Sequence, residues 1–338
     1  MMPILARSLL TAALAALPLL PLHAEEDQRW FQVELLVVAH TSPEALRAEQ
    51  WDPLPVLAYP KRLRFLLDPQ RLQANLNATE GADYSEVDAR GLQRIHLQPQ
   101  WQPAGLPTPV DIEADPEAVL TETPPRPPTP FVQLPASARE FRGKAAYMER
   151  NGPYRVLFHE TWWQPVASQR AALPLLLDSS GDSGSYPALQ GTITLYLSRF
   201  LHLETNLWLN TDGSYLPGSW RMPAPPLGPV SLETVEAPLL APDLAEVIDV
   251  AGYDPAWEAP QEPLLAALPD YPWRHAVLLQ QQRRMRSGEV HYIDHPLLGL
   301  VVKITPLSAE DLQQADYDAA ILPLLQRPEP PAAFPAEF

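Results

Sequence analysis

The sequence predicts an α+β fold: a mostly antiparallel β-sheet with one main helix packed on one face and long proline-rich connections. Several segments alternate apolar and polar residues with the period of two that a half-buried strand imposes. One segment, Ala136 to Asn151, has helical spacing. Strands and helices do not alternate regularly, which argues against a parallel βαβ architecture.

The chain opens MMPILARSLLTAALAALPLLPLHA, with Arg7 ahead of an apolar run broken by Pro18 and Pro21, and Ala24 before the acidic Glu25. This reads as a secretory signal peptide over 1–24, because the unbroken run Ser8 to Leu17 is shorter than the roughly 20 residues a membrane span needs. Removing Arg7 takes the formal charge from −17 to −18. A field of that sign repels polyanions, so nucleic acid is not expected as a partner. There is no cysteine, which excludes disulfides, an acylated lipoprotein terminus, thiol nucleophiles and cysteine metal ligands. About 314 mature residues suffice for a packed core without such staples. The mature chain is expected to be soluble and not membrane-embedded.

Trp30 to His40, WFQVELLVVAH, places Phe31, Val33, Leu35 and Val37 on one face of a strand. Eleven prolines between Gln98 and Pro135 predict an extended connection. The main helix, Ala136 to Asn151, has Ala138, Phe141, Ala145 and Met148 on one side and stops at Asn151-Gly152-Pro153. YRVLFHETWWQPV follows as a strand. From Leu189 to Asn210, Ile193, Leu195, Leu197, Leu201, Leu203, Leu207 and Leu209 alternate with Tyr196, Phe200, His202, Asn206 and Trp208. This reads as one long strand with a bulge or bend near Arg199. A second proline-rich stretch spans 217–272 with twelve prolines. Strands from His275 to about Arg286 and from Leu298 to Thr305 flank an HYIDHP corner, and Ser308 caps a short helix. Residues 25–322 are read as a single domain with proline-rich insertions at about 98–135 and 217–272, ahead of a proline-rich tail at 323–338.

WFQVELLVVAH, YRVLFHETWWQPV, GTITLYLSRFLHLETNLWL and RRMRSGEVHYIDHPLLGLVVKITP, together with Glu49-Gln50-Trp51, resemble the CsiV family of periplasmic peptidoglycan-binding proteins. Phe200 stands where the resemblance leads us to expect Tyr. The resemblance implies a periplasmic location, binding to peptidoglycan, and a role in cell shape and envelope integrity; it carries over no catalytic residue set.

The residues themselves offer four kinds of chemistry. His291 and His295 could face one metal ion on a helix, but Gly288 and Pro296 leave no room for one, and on a strand they stand about 13 Å apart at about 3.3 Å per residue. They read instead as a structural corner, with Asp294 capping the turn and the imidazoles bonded to backbone. His40 and the GDSGS run at 181–185 imitate serine-protease segments, yet His40 lies too near the mature terminus and no third member is evident; DSSGDSGSYP reads as a flexible loop. Glu160 and Glu204 could form a glycosidase pair, although among forty-one acidic residues a chance pairing is expected. No enzyme activity, cofactor or metal is expected.

Binding asks for less: exposed rings with amides and charges beside them. Candidate peptidoglycan-binding residues are Trp162 and Trp163, of which one is core and one presented, then Phe200, His202, Trp208, Arg284, His291, Asp294 and His295. The YRVLFHETWWQP, SRFLHL and HYIDHP segments are expected around one surface. The competing reading is that the aromatic face simply packs inside. The second functional class is an interaction module docking on wall-synthesis or division proteins through a sheet edge or the PPRPPTP segment.

Overall fold

The computed structural model describes residues 29–48, 52, 54–98, 128–236 and 269–313. Within them two four-stranded sheets dominate. The first runs in the order β10 (Val290–Asp294), β11 (Leu298–Pro306), β1 (Trp30–His40), β4 (Tyr154–Pro165); the second in the order β5 (Leu175–Leu176), β6 (Leu189–Leu197), β7 (Leu201–Thr211), β9 (His275–Met285). Every pairing within these sheets is antiparallel. A third sheet pairs β2 (Ala82–Val87) antiparallel with β3 (Gln93–Leu97), which pairs parallel with β8 (Leu232–Val235).

The predicted single sheet is therefore a sandwich. Alternate residues of β1 (Val33, Leu35, Val37) and β11 (Leu300, Val302, Ile304) share one core cluster with Ile193 and Leu195 of β6 and Leu203 and Leu207 of β7. Period-two alternation gives each sheet one apolar face, and the two faces bury one another.

The helix expected over 136–151 forms in two parts, a 3-10 turn at Ala136–Ala138 and α3 at Arg142–Asn151. Phe141 and Ala145 pack on Leu36 and Val38 of the outer face of the first sheet. The helix begins late because its first amides are taken from outside: the carboxylate of Glu34 on β1 accepts the N–H groups of Glu140 at 2.9 Å and Phe141 at 2.8 Å. It sits where a helix N-terminus favours an anion. Nor is α3 the only helix of its length. The equally long α2 (Pro69–Ala78) is opened by Asp68, which accepts the Gln70 and Arg71 amides, with proline at the start of the first turn. Shorter helices are α1 (Pro43–Ala48), α4 (Ser180–Ser183) and α5 (Ala309–Gln313). The expected cap of α5 forms, Asp311 N–H donating to Ser308 Oγ at 3.1 Å.

The long strand read over 189–210 is a hairpin. β6 and β7 pair in register from Leu189↔Leu209 to Leu197↔Leu201, so Ser198–Phe200 is a reversal and not a bend. The leucines still face inward, because in a tight hairpin directly paired residues lie on the same face.

The signal peptide, most of both proline-rich insertions and the tail lie outside the described residues. Where the insertions' ends are described they are packed. Phe131, Val132 and Leu134 are buried, and the Phe131 and Leu134 amides donate to Trp163 and Thr161 of β4. DSSGDSGSYP is not a loose loop either. Ser180 is fully buried and its Oγ accepts the Gly228 amide at 2.7 Å, while Asp182 accepts both the amide and the hydroxyl of Ser231 at 2.6 Å.

Candidate functional site

The outer face of the second sheet carries a ladder of polar cross-strand rows. Reading β6, β7 and β9 in register gives Tyr196–His202–Arg284, then Thr194–Glu204–Gln282, then Thr192–Asn206–Gln280, then Gln190–Trp208–Leu278. The same alternation that turns the leucines inward sends these residues outward.

The fourth row is sealed. Tyr59 lies over Trp208 with ring centroids 4.9 Å apart, Trp208 Nε1 donates to Gln190 Oε1 at 3.2 Å, and Trp208 is fully buried. The segment holding Tyr59 also takes the Asn206 amide, which donates to the Ala58 carbonyl at 3.0 Å. The second and third rows line an open groove of about 400 Å³ bounded by Pro60 and Pro174, and the first row lies next to it.

Its polar groups are aimed by their neighbours. The Tyr196 and His202 rings stack at 5.1 Å with planes 8° apart. The Tyr196 hydroxyl donates to Glu204 Oε1 at 3.1 Å and accepts from Gln282 Nε2. Gln280 and Gln282 are exposed and Thr194, His202 and Asn206 half-buried, so amide and hydroxyl groups reach solvent along these rows. At the turn, Phe200 is 39% exposed, with the Arg284 guanidinium 4.1 Å and that of Arg199 5.5 Å from its ring centre.

The predicted residues therefore divide. Phe200, His202 and Arg284 meet on this face. Trp208 belongs to the same face by parity but is core, because a distant segment covers it. Trp162 is fully buried, its Nε1 donating to Gln164 Oε1 at 2.8 Å. Trp163 is half-buried on the other side of β4, donating to Gln32 Oε1 at 3.0 Å. That side is the helix-bearing outer face of the first sheet, across the sandwich from the groove, so the three segments expected around one surface lie on two.

The HYIDHP corner closes the first sheet. His291 Nε2 lies 3.0 Å from the Arg286 amide, and His295 Nδ1 accepts the Leu297 amide at 3.3 Å. The imidazoles thus bond to backbone as expected, and His295 takes the turn amide assigned to Asp294. Beside them the Tyr292 hydroxyl lies 3.3 Å from His40 Nε2, and the His40 and Tyr154 rings meet edge-on at 5.1 Å. Burial lowers the affinity of His40 and His295 for a proton, with Asp294 opposing, and pushes the Tyr292 phenol up to about 12. The ends of β1, β4 and β10 supply this cluster. Nothing local in the sequence marked Tyr292, Tyr154 or His40 as neighbours, whereas Gln280 and Gln282 could have been found, being in period with Arg284 on one strand.

These segments are the ones on which the family resemblance rests, apart from 49–51, which lie outside the described residues. A protein-family model described as peptidoglycan-binding protein, CsiV, matches residues 5–307. The chain belongs to the CsiV family. No curated protein and no solved structure matches it. In this CsiV chain the two candidate hydrolytic carboxylates lie on different sheets. Glu160, on the first sheet, is held by Arg139, and burial raises its pKa against the pull of that guanidinium; Glu204 faces the groove on the second. His40 contacts Tyr292 and Tyr154, whereas Ser183 Oγ bonds Ser185 Oγ at 2.8 Å, so no serine triad forms among them. No three His, Asp or Glu side chains among the described residues could hold a metal, and no helix there is long and apolar enough to cross a membrane.

Proposed function

We infer that this chain is a non-enzymatic periplasmic protein, exported by its 1–24 leader, whose single domain binds peptidoglycan along the outer face of the second sheet and so supports envelope integrity and cell shape. The observation carrying the reading is the open groove floored by the Thr194–Glu204–Gln282 and Thr192–Asn206–Gln280 rows, with the half-buried His202 and the exposed Phe200 in the row and turn next to it. Sugars offer apolar C–H faces and many hydroxyls; rings meet the former, and the amides of Gln280, Gln282 and Asn206 can both donate to and accept from the latter. Of the predicted residues, Phe200, His202 and Arg284 fit this role; Trp163, His291, Asp294 and His295 would serve only a second contact on the other side of the sandwich. Family membership supports peptidoglycan as the ligand.

The test is sedimentation of the mature protein with purified, protein-free sacculi. Co-sedimentation that weakens with Phe200→Ala and His202→Ala supports the reading; no co-sedimentation overturns it. A docking role on wall-synthesis or division proteins is favoured by one feature, the edge strand β10, where Val290 and Tyr292 are each about half exposed. Recovery only when envelope proteins are added selects that role. Release of muropeptides by the protein would reinstate hydrolysis.

A further inference from the structure

Beyond the polar rows of the second sheet, the end of β9 forms an arginine-rich rim. We propose that Arg199 and Arg284, each in contact with the Phe200 ring, form a carboxylate subsite beyond the end of the polar groove, so that the chain grips an acidic group of its polymer there and sugar along the rows. This rests on the peptidoglycan reading above.

A chain of formal charge −17 disfavours the approach of any anion, so an acidic ligand is retained only where cations are concentrated. Arg199, Arg283, Arg284 and Arg286 are all exposed at this end of the second sheet. Two of them are engaged: Arg286 Nη1 lies 3.5 Å from Glu289 Oε1, and Arg283 Nε donates to Gln281 Oε1 at 3.3 Å. Arg199 and Arg284 have no carboxylate at ion-pair distance among the described residues; each has instead the Phe200 ring, at 5.5 Å and 4.1 Å.

Cation–π contact uses the ring face and holds a long side chain in place. It leaves guanidinium N–H groups able to grip a carboxylate with two parallel bonds. Because the side chains are already positioned by the ring, less freedom is lost on binding. His202, opposite Arg284 in its row and stacked on Tyr196, separates the arginines from the next row, where the Glu204 carboxylate is engaged by the Tyr196 hydroxyl. In peptidoglycan the carboxylate has two sources, the stem peptide and the lactyl group of a muramyl sugar from which the peptide has been removed. The N-acetylglucosamine units carry none.

The experiment measures binding of the mature protein, and of the double variant Arg199→Gln/Arg284→Gln, to soluble muropeptides before and after their carboxylates are amidated. Arg170→Gln, an exposed arginine elsewhere, is the charge control, and thermal melting confirms that each variant is folded. The expected result is that amidation and the double substitution each weaken binding about tenfold, the loss of a charge-assisted contact, and that the double variant no longer distinguishes the two ligands. Peptide-free glycan strands separate the sources: binding equal to that of the acidic muropeptides shows that the lactyl carboxylate also fills the subsite, and loss confines the subsite to the stem peptide. Equal binding of acidic and amidated muropeptides by the native chain, or an unaltered preference in the double variant, overturns the carboxylate subsite while leaving peptidoglycan binding intact. Failure of the native chain to bind sacculi or any muropeptide overturns both.

Discussion

The Glu34 carboxylate, 2% exposed, lies 2.9 Å from His159 Nε2 across the β1–β4 pair. The same group accepts the Glu140 and Phe141 amides, so one side chain joins two strands to the start of α3. Glu34→Gln keeps the volume but loses the charge-assisted bonds, and is expected to lower stability by about 2–3 kcal/mol. Urea denaturation reads the change; an unchanged midpoint would show that these bonds contribute nothing net.

Phe200 and Trp208 share a face and have opposite burial, which separates contact from core. Trp208→Ala is expected to cost about 3–5 kcal/mol, as for other large buried aromatics. Phe200→Ala should cost under about 1 kcal/mol and weaken retention on sacculi. A stable Trp208→Ala, or a Phe200→Ala that binds normally, contradicts this division.

Gly191 sits in β6 with φ +117°, and a Cβ there would stand 2.2 Å from the Asn206 carbonyl oxygen and 2.9 Å from the Leu207 Cα. Both are backbone atoms of the partner strand and cannot rotate away. Gly191→Ala should therefore destabilise the chain by more than about 2 kcal/mol, through a lowered melting temperature and lost amide protection in β6 and β7. Retained protection would mean that the hairpin can shift to admit a methyl group.

His275 is fully buried, with Nδ1 2.9 Å from the Tyr215 hydroxyl and Nε2 2.9 Å from the Asp52 carbonyl. Burial holds its folded pKa below the ordinary value, with Asp52 opposing. The unfolded chain therefore binds a proton first as pH falls through about 6.5, and acid favours unfolding in that window. His40 and His295 shift the same way and add to the slope. Stability should be level above about pH 7 and decline below about 6.5. NMR titration of the His275 ring should give a midpoint under that value, and a midpoint above it would contradict the burial argument.

At the corner, Gly299 makes room for a contact between β10 and β1. A Cβ there would come within 2.8 Å of the Tyr292 hydroxyl and 3.0 Å of His40 Nε2. These are side-chain ends that can swing outward, so Gly299→Ala should cost only about 1 kcal/mol. It should also bring the Tyr292 phenol down from about 12 toward its ordinary value of about 10. Ultraviolet titration checks this; an unmoved phenol would place the cause of its shift outside the contact.

Much of the core was legible because it depends on local alternation: the leucines predicted to point inward along 189–210 do so, apart from the half-buried Leu197 at the turn. The reversal at 198–200 was not, since Ser198-Arg199-Phe200 contains none of the Gly, Asn or Pro that announce a hairpin turn. α2 was legible too, with Asp68-Pro69 ahead of Leu72 and Leu76 as ordinary start signals. The burial of Trp208 is decided by Tyr59, and the corner by a contact between residues 252 apart. Neither relation leaves a trace in local periodicity. The site was therefore half visible: the parity that exposes Phe200, His202 and Arg284 can be counted along the chain, but the lid over one end of that face cannot.

β7 runs through the middle of its sheet with odd positions 201, 203, 207 and 209 in the sandwich and even positions 202, 204 and 206 on the opposite face, 204 and 206 lining the groove. Two registers of one ribbon thus answer to separate demands. Substitutions in the even column can retune what the surface grips while the odd column goes on specifying the same scaffold, so divergence in recognition requires no redesign of the architecture beneath it.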